Sequence, residues 1–299
     1  MRTMAKTDTA TNNVPGSLVQ IGVMMRYTFA DYLRSRRFAI LLLIIALIGG
    51  GLTAALAYFG LASFAPGGSV GTGTAASLGF YSGFWGTFAT LIAVISGIFF
   101  GGDAISGEFQ NKTGYFMLPN PIRRSSVYVG KWLAALTAAS IALFIYAAFT
   151  LGNGVYYGFG VPSQLLESFL FTWFYMIAVL GFTFLFSSVF KSSAYSFLVT
   201  FLLFLIAFNI INLVVSNLAH LEPWFLLTYG ADIIGNVLMT TYPQHETTIQ
   251  GFGGGRGSAN APTFISYNAT IPEGLAIIAA YFIITAALGL LLFERKEFN

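Results

Sequence analysis

Half of the charged residues between the first and last apolar runs of the chain, six of twelve, fall in one stretch, Asp103 to Trp132. Within it, Glu108 and Lys112 stand four residues apart, in the order that favours an ion pair on a helix. This pattern predicts a short amphipathic helix that projects from its surroundings and is suited to docking a soluble partner. The candidate docking residues are Glu108, Phe109, Gln110, Asn111, Lys112, Thr113 and Gly114.

The end of this stretch has the residues expected where a chain returns to a membrane. Gly114 permits a turn, and Pro119 and Pro121 stiffen the segment that follows it. The basic side chains are expected to lie at the level of the lipid headgroups. The candidate re-entry residues are Pro119, Pro121, Arg123, Arg124 and Lys131.

The other residue types exclude most active-site chemistry. The chain has no Cys, which excludes disulfides and thiolate ligands. Its two histidines, His220 and His245, are far apart in sequence and are expected at a wet membrane surface. The Gly-rich run 251–257 lacks the Gly-Lys-Ser/Thr ending of a phosphate-binding loop. We therefore expect no catalytic residue, cofactor or metal ion on this chain.

Composition places the chain in a membrane. Of its 299 residues 56% are hydrophobic and only 8% are charged, and the mean hydropathy is +0.76. So few charges cannot cover a surface exposed to water. Six runs are long enough to cross a bilayer as helices, which predicts an all-α polytopic membrane protein. They are Phe38 to Leu61, Gly83 to Gly101, Val127 to Leu151, Phe169 to Phe190, Ala194 to Ser216 and Pro272 to Phe293.

The basic residues predict the orientation of these spans. Of the 14 Lys and Arg residues, all but Arg256 fall on one side if the six spans alternate. Because cytoplasmic loops are enriched in Lys and Arg, both termini are expected in the cytoplasm. Residues 1–16 are expected to form a disordered cytoplasmic tail. Asn268 begins a glycosylation sequon, which lies on the predicted outer side.

Three further features are predicted around the spans. Residues 17–36 have apolar side chains on one helical face, from Leu18 to Leu33, with Gln20 on the opposite face. They are expected to form an interfacial helix, with an N-terminal extension of the first span as the alternative. The outer segment 217–271 is expected to begin with a broken or re-entrant helix and to end in a polar loop. Asn209 and Asn212 share one face of the fifth span and should contact another helix or a pathway.

Taken together, these residues resemble the permease subunits of ABC-2 type transporters. The matching positions are Glu108, Thr113, Gly114, Leu118, Pro119, Pro121, Arg123, Gly130 and Lys131. The family more often has Gly before Thr at the turn, whereas this chain has Thr113 before Gly114. The resemblance covers the chain from about residue 17 and makes 17–299 the transmembrane domain.

The resemblance implies a working arrangement. Segment 103–126 would be the coupling segment, whose helix docks in a groove of a separate nucleotide-binding ATPase subunit. Two permeases, as a homodimer or heterodimer, and two ATPases would form a probable exporter in the cell membrane, with ATP and Mg on the ATPases. No nucleic-acid partner is expected.

Two other classes remain as alternatives. An ion-coupled carrier or channel should have buried charge or an inverted repeat. A membrane-embedded enzyme should have paired carboxylates, a Ser/His pair or a metal cluster within the spans. None of these features is visible in the sequence, so both alternatives rank below the permease.

Overall fold

The computed structural model describes residues 16–60, 73–111, 123–250 and 263–296. Six of its helices are long and apolar enough to cross a membrane, which confirms the predicted fold class. Spans 2, 3 and 4 form the packed centre, whereas spans 1, 5 and 6 are mostly exposed. In chain order the spans are Arg36–Phe59, Thr74–Gln110, Arg124–Tyr156, Ser163–Val189, Ser193–Asn217 and Ile271–Arg295.

A separate helix, Ser17–Arg34, precedes span 1. Ser35 has an extended backbone, so the two helices are not continuous. Its Oγ accepts the N–H of Phe38 at 3.2 Å and donates to the carbonyl of Tyr32 at 2.7 Å. A serine in this position caps the start of the following helix. The N-terminal helix is therefore not an extension of span 1.

The N-terminal helix packs closely on span 3. A Cβ atom on Gly130 would lie 2.7 Å from Cβ of Met24 and 3.0 Å from the carbonyl oxygen of Ile21. Only a glycine permits this approach. Gln20, predicted opposite the apolar face, is buried and accepts the N–H of Arg123 at 3.2 Å. Leu18, predicted on the apolar face, is 84% exposed, so the face that carries Gln20 is the one packed on span 3.

Span 2 begins earlier than its apolar run indicated. The helix starts at Thr74, before the apolar run that was predicted to begin at Gly83. It passes through a π-helical turn at Ser82–Gly86. Deeper in the span, a Cβ atom on Gly97 would lie 2.6 Å from Cγ1 of Val179 on span 4. Small residues thus allow spans 2 and 4 to approach closely at the centre of the molecule.

The segment between spans 5 and 6 contains two short helices and a hairpin. The helices Leu227–Gly230 and Ile233–Asn236 form the predicted interrupted helix, with the break beside Asp232. Ser168 of span 4 donates to the carbonyl of Ile234 at 2.6 Å. Strands β1, Glu246–Gln250, and β2, Thr263–Tyr267, pair antiparallel where the sequence predicted only a polar loop. The Gly-rich run 251–257 lies outside the described residues.

Candidate functional site

The candidate site lies at the C-terminal end of span 2, predicted to be cytoplasmic, where the long helix ends at Gly101 and a short helix, Ser106–Gln110, follows. At this break, the backbone N–H groups of Ile105 and Ser106 both donate to Oγ of Ser187 at 2.9 Å. Ser187 is fully buried in span 4. One hydroxyl of span 4 therefore satisfies two N–H groups at the start of the short helix.

A buried ion pair joins the short helix to span 3. The Nζ of Lys131 contacts Oε1 of Glu108 and donates to the carbonyl of Ala104 at 2.8 Å. The side chains of Lys131 and Glu108 are 8% and 21% exposed. The sequence placed Lys131 at the level of the lipid headgroups, and its side chain is buried within the protein at that end of span 3. Position 131 faces span 2, where Glu108 compensates the charge of the ammonium group.

A second set of contacts joins the end of span 2 to the N-terminal helix and span 1. Arg37 forms an ion pair with Asp103, just after the long helix of span 2 ends. Tyr32 donates its hydroxyl to the carbonyl of Phe100 at 2.9 Å. Burial, followed by the charge of Asp103, raises the pKa of Tyr32. The phenol is therefore a neutral hydrogen-bond donor at physiological pH.

The far end of the short helix contacts span 5 and the C-terminal segment. Oε1 of Gln110 accepts the N–H and the hydroxyl of Ser193, the first residue of span 5. The Nζ of Lys296 lies 4.2 Å from the centre of the Phe109 ring. The same Nζ donates to the carbonyls of Ser188 and Phe190, at 2.8 and 2.9 Å, and so caps the end of span 4. The short helix is thus in contact with groups at the neighbouring ends of spans 3, 4, 5 and 6.

A polar cavity of about 480 Å³ lies between the short helix and the N-terminal helix. The two carboxylates that span 2 contributes to its wall, Asp103 and Glu108, are each held in an ion pair. A wall of this kind favours ionic contacts over acid–base catalysis, for which a carboxylate should be available for proton transfer. The lining residues are Thr28, Asp31, Tyr32, Ser35, Arg36, Arg37, Asp103, Ala104, Gly107, Glu108, Asn111 and Lys131.

The structure brings together part of the predicted docking and re-entry set. Gln110 and Asn111 are exposed at the tip, and Arg123 and Arg124 lie where span 3 begins. Arg124 donates to the carbonyls of Glu294 and Lys296, both at 2.9 Å, and so joins span 3 to the C-terminal end of span 6. Five predicted residues lie outside the described residues, namely Lys112, Thr113, Gly114, Pro119 and Pro121.

The hydrogen bonds that the described residues give to the two asparagines of span 5 lie within that span. Nδ2 of Asn209 donates to the carbonyl of Leu205 at 3.1 Å, and Oδ1 of Asn212 accepts the hydroxyl of Ser216 at 3.1 Å. Asn209 is exposed on the outside of the helix bundle. Each amide thus has a hydrogen-bond partner in its own helix, and the exposed face of span 5 remains available for contacts beyond this subunit.

The sequon asparagine has a structural role at the base of the hairpin. Nδ2 of Asn268 donates to the carbonyl of Gln244 at 2.9 Å and to Oγ1 of Thr247 at 3.2 Å. A glycan on this nitrogen would remove at least one of these donors. Glycosylation of Asn268 stays a prediction, and it would loosen the base of the hairpin.

Several residues of the site had no local signal in the sequence. Ser187, Ser193 and Lys296 lie 79 or more positions after Glu108 in the chain and reach the short helix only through the packing of spans 4, 5 and 6. Asp103 belongs to the charged stretch, but its partner Arg37 comes from span 1. These contacts depend on tertiary structure, which spacing along the chain does not reveal.

Comparison with known proteins agrees with the resemblance noted in the sequence. No curated protein matches the chain. The family described as ABC-2 family transporter protein matches residues 24–298. This range includes all six spans, the short helix and the outer segment. The chain therefore belongs to the ABC-2 family of transporter proteins, whose members are membrane permease subunits of ABC transporters.

Proposed function

We propose that the chain is the permease of an ATP-driven exporter in the cell membrane, coupled through its Ser106–Gln110 helix to a separate nucleotide-binding ATPase. The observation that carries this proposal is the convergence of four spans on that helix. A five-residue helix at the end of span 2 has contacts with groups of spans 3, 4, 5 and 6. Export is the direction that the family resemblance implies.

The contacts of the helix support a coupling role. Its inner side is fixed by the ion pair with Lys131 and by the hydroxyl of Ser187. Its tip, at Gln110 and Asn111, is exposed and polar. A partner that moved the tip would pull on spans 3, 4 and 5 together, because packed helices shift as units. This is what ATP-driven switching of the permease requires.

The exposed faces of spans 1, 5 and 6 support a dimer of permeases. Span 5 exposes Asn209 together with a series of large apolar side chains. An amide that faces lipid has only its own helix as a partner, whereas one at a helix interface gains further hydrogen bonds. A second permease packed on this face would give Asn209 and Asn212 such partners, or would enclose a pathway between them.

A cross-linking experiment tests the docking proposal directly. Because the chain has no Cys, Asn111→Cys introduces the only thiol of this subunit. A heterobifunctional reagent that joins this thiol to lysines should produce an adduct with the ATPase in the complex purified from membranes.

Glu246→Cys is the matched control, since Glu246 is equally exposed but lies on the outer hairpin. It should give no adduct with the ATPase. Equal adduct yields from the two variants, or an adduct from Glu246→Cys alone, would overturn the proposal.

A further inference from the structure

A cluster of three ionisable side chains lies at the opposite end of the molecule from the docking helix. One ligand atom each from Glu222, His245 and Glu273 all lie within 4.8 Å of one another. The three residues come from different elements. Glu222 follows span 5, His245 directly precedes β1, and Glu273 lies in the first turn of span 6. The fold therefore assembles a group that the sequence spacing did not indicate.

Among the described residues, no Lys or Arg forms an ion pair with this cluster. Between Lys191 and Arg295 the sequence has one basic residue, Arg256, which lies outside the described residues. Two carboxylates held this close repel each other unless a cation or proton lies between them. Nε2 of His245 lies 3.2 Å from Oε2 of Glu222 and is the nearest described group that could carry positive charge.

The side chains are held in place by neighbours that do not compete for the space between them. Oε1 of Glu222 accepts the hydroxyl of Tyr229 at 2.5 Å. Oε2 of Glu273 accepts the N–H of Thr270 at 3.2 Å in a capping box. The imidazole of His245 packs edge-on against Tyr267, with ring centres 6.3 Å apart. Outer hydrogen bonds of this kind orient the ligands of metal sites.

The donor set selects the class of cation. One imidazole nitrogen and two carboxylate oxygens suit zinc and related divalent transition metals better than calcium or magnesium, which prefer oxygen ligands alone. Zinc bonds of about 2.1 Å in a tetrahedron place the ligand atoms about 3.4 Å apart. The side chains of Glu222 and His245 are 27% and 49% exposed, so they have room to move. Movements of about 1 Å would bring the ligand atoms to this spacing.

We propose that Glu222, His245 and Glu273 form an outer-surface binding site for one divalent transition-metal ion such as zinc. The ion would neutralise both carboxylates and leave at least one coordination position open to water. It would also tie the base of the β1–β2 hairpin to the beginning of span 6, because His245 and Glu273 lie on these two elements. The site is independent of the docking helix and of the proposed ATPase partner.

Zinc titration of the purified full-length chain in detergent, followed by calorimetry at neutral pH, tests the proposal. The wild-type chain should bind one zinc ion per subunit, and His245→Ala should lose this stoichiometric binding. Tyr229→Phe leaves all three ligands but removes the hydroxyl that orients Glu222, so it should weaken binding by about 10- to 100-fold.

His220→Ala is the matched control because it removes the only other histidine, which is exposed on the same outer segment. It should bind zinc as the wild type does. Zinc should also raise the unfolding temperature of the wild type and of His220→Ala, but not that of His245→Ala. The unfolding transition of each variant without zinc shows that the variant is folded at the start. Binding unaffected by His245→Ala, or no binding to the wild type, would overturn the site and leave a proton shared by the carboxylates as the explanation of the cluster.

Discussion

The ion pair between Glu108 and Lys131 makes the sharpest prediction about the short helix, Ser106–Gln110. Glu108→Gln keeps the size of the side chain and removes its charge. The ammonium of Lys131, only 8% exposed, would then keep the carbonyl of Ala104 as its described partner. Loss of one member of a fully buried pair costs about 3–5 kcal/mol. Because Glu108 is itself 21% exposed, we expect a cost near the lower end, about 3 kcal/mol.

The assay is thermal unfolding of the purified chain in detergent. A loss of about 3 kcal/mol corresponds to a decrease of roughly 6 °C for a chain of this size. Asp103→Asn is the matched control, because its ion pair with Arg37 is more exposed and should be worth less than about 1 kcal/mol. The double variant Glu108→Gln/Lys131→Met should recover much of the loss, since no unpaired charge remains buried.

Two results would refute this reasoning. Glu108→Gln could unfold at the wild-type temperature, in which case the ammonium has water or another partner. Alternatively, the costs of Glu108→Gln and Lys131→Met could add in the double variant, which would mean that the two residues are not coupled.

Other parts of the structure make further predictions. Ser187→Ala removes the acceptor of two buried N–H groups at the start of the docking helix and should cost about 2 kcal/mol in unfolding experiments. Ser188→Ala should be nearly neutral, because the Ser188 hydroxyl is buried and has no described hydrogen-bond partner. Gly130→Val should displace the N-terminal helix from span 3 and cost about 1–3 kcal/mol, and a cysteine introduced at Met24 should become more reactive towards maleimide. Burial raises the pKa of Asp232 to about 7, so its folded form holds a proton that the unfolded form loses near pH 4. Stability should therefore fall as the pH rises from about 4 to 7, by up to about 4 kcal/mol, and Asp232→Asn should abolish this dependence. A pH profile unchanged by Asp232→Asn would contradict the assignment.

The six spans could be predicted because their signal is local. Each is a continuous apolar run, and its length alone indicates a membrane helix. The break at Ser35 fits the preference of serine for helix starts. The helical start of span 2 at Thr74 was missed because its Gly, Ser and Ala residues are equally common in loops. Tertiary packing on the neighbouring spans gives these residues their helical structure.

The short helix Ser106–Gln110 could be predicted, but its contacts with other spans could not. Glu108 was selected because it lies four residues before Lys112. Sequence spacing indicates only such pairs, whose two residues lie on the same helix. In the structure Glu108 contacts Lys131, 23 residues further along and on another span. In the same way, His245 was expected to be alone because the other histidine is distant in sequence. Folding of the outer segment instead brings two carboxylates to it.

The central claim is that the exposed tip of the Ser106–Gln110 helix couples this permease to an ATPase. ATP hydrolysis by the complex, reconstituted in lipid vesicles, tests the claim most directly. Asn111→Arg changes an exposed side chain at the tip, and Glu246→Arg changes an exposed side chain on the outer hairpin. We expect Asn111→Arg to insert and assemble normally but to lose the transport-linked stimulation of hydrolysis, while Glu246→Arg retains it. Full stimulation in Asn111→Arg would contradict the claim.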